Sequence, residues 1–320
     1  MGFFETILAP FRWLVSWIMF MFHEGFTFLG MDPASGWTWV LSIVGLVVII
    51  RAALIPVFVK QIKAQRGMQA LQPDLRKLQQ KYKGKTDQLS RQAMTQEQMA
   101  LYKKHGTNPF AACLPILIQM PFFFALFTVL NGISRASEEG ATIGALSPDS
   151  VRQFDNATIF GAPLSSTFLG SFGSGGNISV IILSVVMIIA MTASQFITQK
   201  QIMAKNMSEE AMQSPFMRQQ KIMLYILPLV FGIGGINFPI GVLVYWTTTN
   251  LWTMVQQFYV IRRMPTPGSP AAKALADRRA KKGLPMVPLL GERKTEPAIE
   301  IVPEPRGQRV QPQRKKRKKR

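Results

Sequence analysis

Five long apolar segments, at about 37–58, 110–131, 178–198, 221–237 and 239–261, leave this chain few folds to choose from. Crossing a hydrocarbon core of about 30 Å takes about 20 apolar residues at 1.5 Å each. The first three segments and the fifth meet that length. The fourth is shorter and ends at Asn237-Phe238-Pro239, so it reads with the fifth as a helical hairpin turning at "INFPIG". The expected class is an all-α polytopic membrane protein with a five-span core over 36–262. Composition agrees: 48% of residues are hydrophobic and 17% charged, with the apolar ones bunched. The single cysteine, Cys113, excludes an internal disulfide and any Cys-based metal site, and no cofactor is expected.

The first 35 residues read differently. The run from Pro10 to Phe26 is apolar and aromatic, but its uncharged centre, Trp13 to Phe22, is too short to span. Glu5 spoils the basic leader of a signal peptide, and no A-x-A-like cleavage site follows. The expectation is an amphipathic helix over 10–26 lying along the membrane surface, with Trp13 and Trp17 at headgroup depth. A tilted or uncleaved signal anchor is the alternative.

Charge placement orients the spans. The 59–109 segment carries eleven basic residues against Asp74, Asp87 and Glu97, whereas 132–177 carries only Arg135 and Arg152 against four acids. Lys200, Lys205, Arg218 and Lys221 follow the third span, and eighteen basic residues lie from Arg262 onward. All basic segments fall on the cytoplasmic side if the N-terminus is outside and the C-terminus inside.

Two cytosolic parts follow from that orientation. In 60–106, Ile62, Met68, Leu71, Leu75 and Leu78 recur at helical spacing, as do Leu89, Met94, Met99 and Leu101. Two amphipathic helices joined near Gly84, with Pro73 interrupting the first, form an antiparallel hairpin. It is either a plain connector or an element that docks or guides a partner. The tail, 263–320, is Pro-, Ala- and charge-rich without periodicity and reads as disordered. It ends in Arg314, Lys315, Lys316, Arg317, Lys318, Lys319 and Arg320, a polycation suited to anionic lipid headgroups and to phosphate backbones such as ribosomal RNA.

Arg51 is the anomaly in the first span. At 1.5 Å per residue it lies roughly 20 Å below Trp37 and about 13 Å from Lys60, within the inner half of the bilayer. A guanidinium stays charged, and insertion there costs about 2.5–3.5 kcal/mol. Snorkelling brings it near the headgroups without freeing it from Ile50, Leu54, Ile55 and Val57. None of the five spans contains an Asp, Glu or His, so no ion pair within the membrane is available. Polar side chains are: Gln119 in the second span, Thr192, Ser194, Gln195 and Gln199 in and just after the third, and Tyr245, Thr249, Trp252 and Gln256 on one stripe of the fifth, with Asn250 beside it. Each could serve as interhelical glue. A permanent unpaired cation instead calls for a hydrated intramembrane cavity able to receive a polar or acidic segment from another molecule.

The stretches "IVGLVVIIRAALIPVFVKQIKAQRGMQALQPDLRKLQQKY", "ALYKKHGTNPFAACLPILIQMPFFFALFTVL" and "KIMLYILPLVFGIGGINFPIGVLVYWTTTNLWTMVQQFYV" resemble YidC-type membrane protein insertases over about residues 30–262. The resemblance implies a bacterial plasma-membrane protein with a hydrophilic groove open to cytosol and lipid. It places the groove arginine at Arg51 and groove polar positions at Gln119, at Gln195 or Gln199, and near Tyr245, Trp246 and Asn250. It matches 60–106 to the substrate-receiving hairpin and 10–26 to the amphipathic N-terminal helix. Its implied partners are nascent membrane proteins, the Sec translocon and, through the basic tail, the ribosome and anionic lipids. Two features depart from other members, since no large domain precedes the first core span and no lipoprotein cysteine is present; the extended loop at 132–177 and the long basic tail point to an actinobacterial type. Val47, one turn before Arg51, stands where some members carry a hydroxyl, so a drier groove is expected there.

The chemistry excludes several classes. There is no G-x-x-x-x-G-K-[ST] for nucleotide. His23 and His105 lie outside the spans, so no Ser–His arrangement forms within them, and an enzyme is not expected. The rival reading is a transporter or channel subunit, which usually needs intramembrane acids or paired repeats.

Overall fold

The computed structural model describes residues 3–106, 108, 114–173, 176–208, 212, 222, 225–226, 228–230 and 232–285 of the 320. Cys113 and residues 314–320 lie outside the described residues, as do Lys221, Met223, Leu224, Leu227 and Phe231 of the fourth apolar segment.

The chain opens with a helical hairpin. Helix α1 (Phe3–Phe28) and helix α2 (Gly36–Ala53) are joined by a short turn containing Gly30, at φ 95°. Ser35 caps α2, its hydroxyl accepting from Trp37 N. The pair packs tightly because small meets large: a Cβ on Gly45 would fall 2.7 Å from the Phe22 ring. His23 stacks on Trp39 at 3.9 Å and bonds Pro33 O through Nε2 at 3.0 Å.

Helix α1 corrects the expected length of the 10–26 element. It runs 26 residues, about 39 Å at 1.5 Å each, and from Glu5 to Phe28 it is long and apolar enough to cross a membrane. Arg12, His23 and Glu24 interrupt the apolar composition but not the helix, so counting uncharged residues underestimated it. One face buries Val15, Ser16 and Met19. The opposite face exposes Trp13 and Trp17, stacked at 6.0 Å.

The first apolar segment is not one helix. Helix α2 ends at Ala53, Leu54 intervenes, and helix α3 (Ile55–Ala70) resumes. Pro56 explains the break, since it has no N–H for the helical ladder and crowds the preceding backbone. Helices α4 (Gln72–Lys81) and α5 (Gln88–Lys104) then form the expected hairpin. Pro73 sits in the first turn of α4, where its missing N–H costs nothing. Gly84, at φ 85°, makes the turn. Leu71, Leu75 and Tyr102 form a small core, and Lys81 and Tyr82 clamp Glu97 at 2.6 and 2.8 Å.

Helix α6 (Leu114–Asn131) returns and packs on α1, with Phe11 edge-on to Phe122 at 5.4 Å. The 132–177 loop is structured. It comprises helix α7 (Ile133–Glu138), helix α8 (Pro148–Asn156), a two-residue-stranded hairpin of β1 (Thr158–Ile159) and β2 (Ala162–Pro163), and helix α9 (Phe168–Gly173). Phe154, Leu146 and Leu164 are fully buried and continue the core laid down by Trp39 and Ile43.

Helix α10 (Ile178–Asn206) and helix α11 (Ile240–Arg263) make the most extensive helix pair. Helix α10 turns Val180, Ser184, Met191, Ser194 and Thr198 inward and leaves Ile182, Val185, Val186 and Ile189 exposed. Small inward residues allow close approach, and apolar outward ones suit lipid. A 3₁₀ turn at Gly235–Asn237 precedes α11, as the "INFPIG" turn anticipated.

The tail is not structureless from its start. Helix α12 (Pro270–Ala280) follows α11 and packs on α10 and α11. Ser269 caps it, Thr266 N bonds Asn206 Oδ1 at 2.9 Å, and Ala271 and Ala272 are buried. The Ala-rich sequence carries no strong apolar stripe, because its buried contacts are methyl groups.

Candidate functional site: a cavity at Arg51

Arg51 and Ile50 are neighbours with opposite surroundings. On α2, Trp39, Ile43, Leu46, Val47 and Ile50 share the buried face against α1 and α11. Arg51, one residue on, turns 100° away from Ile50 and into a cavity of about 590 Å³. Val47 is in the packed core, not on that cavity, so its lack of a hydroxyl does not dry the cavity.

Three walls enclose the space. Leu54, Val57, Phe58, Gln61 and Ile62 come from the α2–α3 junction, so the cavity runs from Arg51 toward the α4–α5 hairpin. Helix α6 supplies Ile118, Gln119, Phe123 and Phe124. Helix α11 supplies Tyr245, Trp246, Thr249, Thr253, Gln256 and Gln257. Gln119 Nε2 donates to Tyr245 Oη at 3.1 Å, joining the second and third walls. Trp246 stacks on Phe238 at 5.6 Å and meets Phe123 edge-on at 5.0 Å, which fixes the aromatic side of the wall.

The electrostatics are one-sided. Among the described residues the lining holds one formal charge, Arg51, and no Asp or Glu. Among the described residues Arg51 makes no ion pair. Around it stand amides, hydroxyls and aromatic rings, which can orient water or a polar guest but cannot neutralise a cation. Among the described residues no cluster of His, Cys, Asp or Glu could hold a metal ion.

The residues expected at the groove are divided by the structure. Arg51, Gln119, Tyr245 and Trp246 border one cavity. Asn250, Gln195 and Gln199 do not. Asn250 Nδ2 instead donates to Met191 O at 3.2 Å, pinning α11 to α10. Gln195 is half-buried on α10, with its Oε1 enclosed and unbonded among the described residues. Asn250 is thus an interhelical polar contact, the role open to any Gln or Asn in a bundle.

Gln61, Thr253 and Gln257 join the site without having been anticipated. Thr253 and Gln257 follow Thr249 at four-residue steps, so they extend the stripe; Trp252, which was counted on it, is not on the cavity, and its buried Nε1 has no partner among the described residues. Gln61 is only 6% exposed despite lying beside Lys60, and nothing in the sequence separates it from the polar residues around it.

A family model for the 60Kd inner membrane protein matches residues 30–267. Membrane protein insertase YidC of Streptomyces avermitilis is 48% identical over 286 residues, covering 87% of this chain and 64% of that protein, so the chain spans less than two thirds of that relative. The protein of the same name from Tropheryma whipplei (strain Twist) is 42% identical over 324 residues, covering 99% of this chain and 97% of its own length. The solved structure described as an active YidC insertase with the first transmembrane domain resolved aligns at 23% identity and a TM-score of 0.43, over 81% of this chain and 47% of that one. The match across residues 30–267 and the identity over nearly the whole Tropheryma protein place the chain in the 60Kd inner membrane protein family, to which it belongs alongside the YidC membrane protein insertases.

Proposed function

We propose that this chain is a membrane protein insertase and that the Arg51 cavity is where it receives the polar flank of a nascent membrane protein. The observation that carries the reading is the unpaired guanidinium in a cavity with amide and hydroxyl walls and no carboxylate. A cation held there without a counter-charge is costly while empty and is relieved when an acidic or polar segment enters. The guest's apolar part then partitions into lipid, and its burial supplies the driving force. No bond is made or broken, so the chain acts as a chaperone and not as an enzyme.

The surroundings fit that task. The cavity extends along Leu54, Val57 and Gln61 toward the α4–α5 hairpin, which is placed to meet a chain arriving from the cytosol. Residues 36–262 form the inserting core, with the N-terminus outside and the C-terminus in the cytosol by the distribution of Lys and Arg. Helix α1 exposes Trp13 and Trp17 on one side and is clamped to α2 and α6 on the other, which suits a helix at the membrane boundary. The basic tail, 263–320, binds the ribosome or anionic lipid through Arg314–Arg320, and the Sec translocon is a further partner.

Photocrosslinking from position 51 to ribosome-stalled nascent chains tests the reading. The expected result is an adduct confined to chain lengths at which the first apolar segment has just emerged. Absence of any adduct at position 51, with adducts still formed from a lipid-facing site such as Val186, overturns it.

A further inference from the structure

Charge is divided unevenly along the loop between α6 and α10. Arg135, Glu138, Glu139, Asp149, Arg152 and Asp155 all fall in its first half, and from Asn156 to Asn177 there is no Asp, Glu, Lys or Arg. That uncharged half displays large apolar side chains. Phe160 is 72% exposed and Phe172 70%, with Leu169 beside them.

Phe160 is placed against the preference of its backbone. It and Gly161 form the two-residue turn of the β1–β2 hairpin, with Ile159 opposite Ala162. Both turn residues have positive φ, 50° and 77°. Asn, Asp or Gly is the favoured residue at such a turn, and a bulky aromatic is strained there. A turn in open water gains nothing from an exposed phenyl ring. A turn at a lipid boundary does.

The level of this segment is set by the spans. Ser166 O accepts from Ile240 N at 3.0 Å and Leu164 O from Gly241 N at 2.8 Å, so its carbonyls satisfy the first N–H groups of α11. Asn177, the cap of α10, donates to Gly161 O at 3.1 Å. Phe160 meets Trp37 of α2 edge-on at 5.4 Å, and Trp37 and Ile178 are themselves exposed. Phe168 of α9 turns into a groove of about 600 Å³ among Val185, Ile189, Phe196 and Leu229, the apolar outer surface of α10 and the segment before α11. Helix α9 therefore lies level with the apolar ends of the spans.

We infer that residues 158–173 are a lipid-binding wedge, seated at the boundary between headgroups and acyl chains at the α9 end of the spans. Phe160, Leu169 and Phe172 enter the leaflet, while the charged half, α7 and α8, stays in water. Aromatic side chains favour that depth, and anchoring there fixes the depth and tilt of α2, α10 and α11, to which the segment is bonded. The inference rests on those helices spanning the membrane.

The test uses the full chain with Cys113→Ser and single cysteines at Phe160→Cys, Phe172→Cys, Asp149→Cys and Val186→Cys, each carrying a small fluorophore. The proteins are reconstituted in vesicles of phosphatidylethanolamine and phosphatidylglycerol, with iodide on both faces as aqueous quencher and lipid spin-labelled near the headgroup as membrane quencher. Labels at 160 and 172 are expected to show iodide quenching about threefold or more weaker than the label at 149, and strong quenching by the lipid. If 160 and 172 are as open to iodide as 149 while 186 is protected, the wedge is wrong and the span assignment stands. If 186 is also open to iodide, the span assignment fails and the wedge fails with it.

Discussion

Gln119 and Tyr245 are joined across the cavity by one hydrogen bond of 3.1 Å, the amide donating to the phenol oxygen. The two side chains come from α6 and α11, far apart in sequence, and close the space in which Arg51 stands. Tyr245 is 6% exposed, held by Phe123 at 6.4 Å between ring centres. Tyr245→Phe removes the acceptor without changing the ring. A typical hydrogen bond contributes about 1 kcal/mol net, so the thermal midpoint should fall by only a few degrees. The freed Gln119 amide is then available to the cavity. Insertion of polar-flanked substrates should drop severalfold, while Gln119→Leu, which also removes an amide from the lining, should drop it further. Equal insertion by both variants and wild type in proteoliposomes contradicts a role for this pair.

Arg51→Leu separates fold from function. An unpaired charge in the membrane-facing part of the chain costs about 2.5–3.5 kcal/mol on insertion scales, and removing it should leave stability unchanged or raised. Insertion of substrates with an acidic translocated flank should fall about tenfold to a hundredfold, the worth of a hydrogen bond to a charged group. Arg51→Lys retains the charge and should recover most of that loss. Thermal unfolding in detergent alongside an insertion assay checks both halves. A destabilised Arg51→Leu would mean that the guanidinium has a structural partner.

These two cases also mark what the sequence could say about the site. Arg51 was legible because a charge in an apolar run violates a strong rule, and the absence of any acid in the spans was a matter of inventory. Gln119 and Tyr245 were legible once the arginine needed company, and Trp246 came only with the family resemblance. Asn250, Gln195 and Gln199 were not separable from them, because a polar residue in a span says that it avoids lipid but not which neighbour it faces. Asn250 faces Met191 and so belongs to the α10–α11 seam. The length of α1 was hidden by treating Arg12, His23 and Glu24 as the ends of an element when a helix runs through them. Helix α12 was hidden for the opposite reason: its buried residues, Ala271 and Ala272, make no apolar signal.

The α4–α5 hairpin should loosen in acid. Glu97 accepts from Lys81 at 2.6 Å and from Tyr82 at 2.8 Å, and these hold its carboxyl below the usual glutamate range. A carboxylate whose folded pKa is depressed stabilises above its unfolded value, about 4.3, and that contribution is lost as pH falls through the folded pKa. Asp87, lowered by accepting from Ser90 N at the start of α5, acts in the same sense. Once the intrinsic pH dependence of exchange is divided out, amide protection in α4 and α5 should therefore fall on going below about pH 4. In Glu97→Gln the acid-dependent part should shrink, with faster exchange already at neutral pH. An unchanged acid response in that variant would place the titrating group elsewhere.

Helix α12 should remain docked when the polycation is removed. Ser269 is fully buried, its hydroxyl accepting from Ala272 N and donating to Thr266 O. Asn206 at the end of α10 holds Thr266 N at 2.9 Å. Neither contact involves a residue beyond 285. Truncation after Pro285 should leave amide protection in 270–280 intact while ribosome co-sedimentation falls. Ser269→Ala in the full chain should do the reverse, since loss of an N-cap costs about 1 kcal/mol of helix stability and leaves Arg314–Arg320 untouched. Truncation after Met264 removes both, so it does not distinguish a docking helix from a charged tether. If exchange in 270–280 rises on truncation at 285, the basic tail stabilises the helix and the two act as one unit.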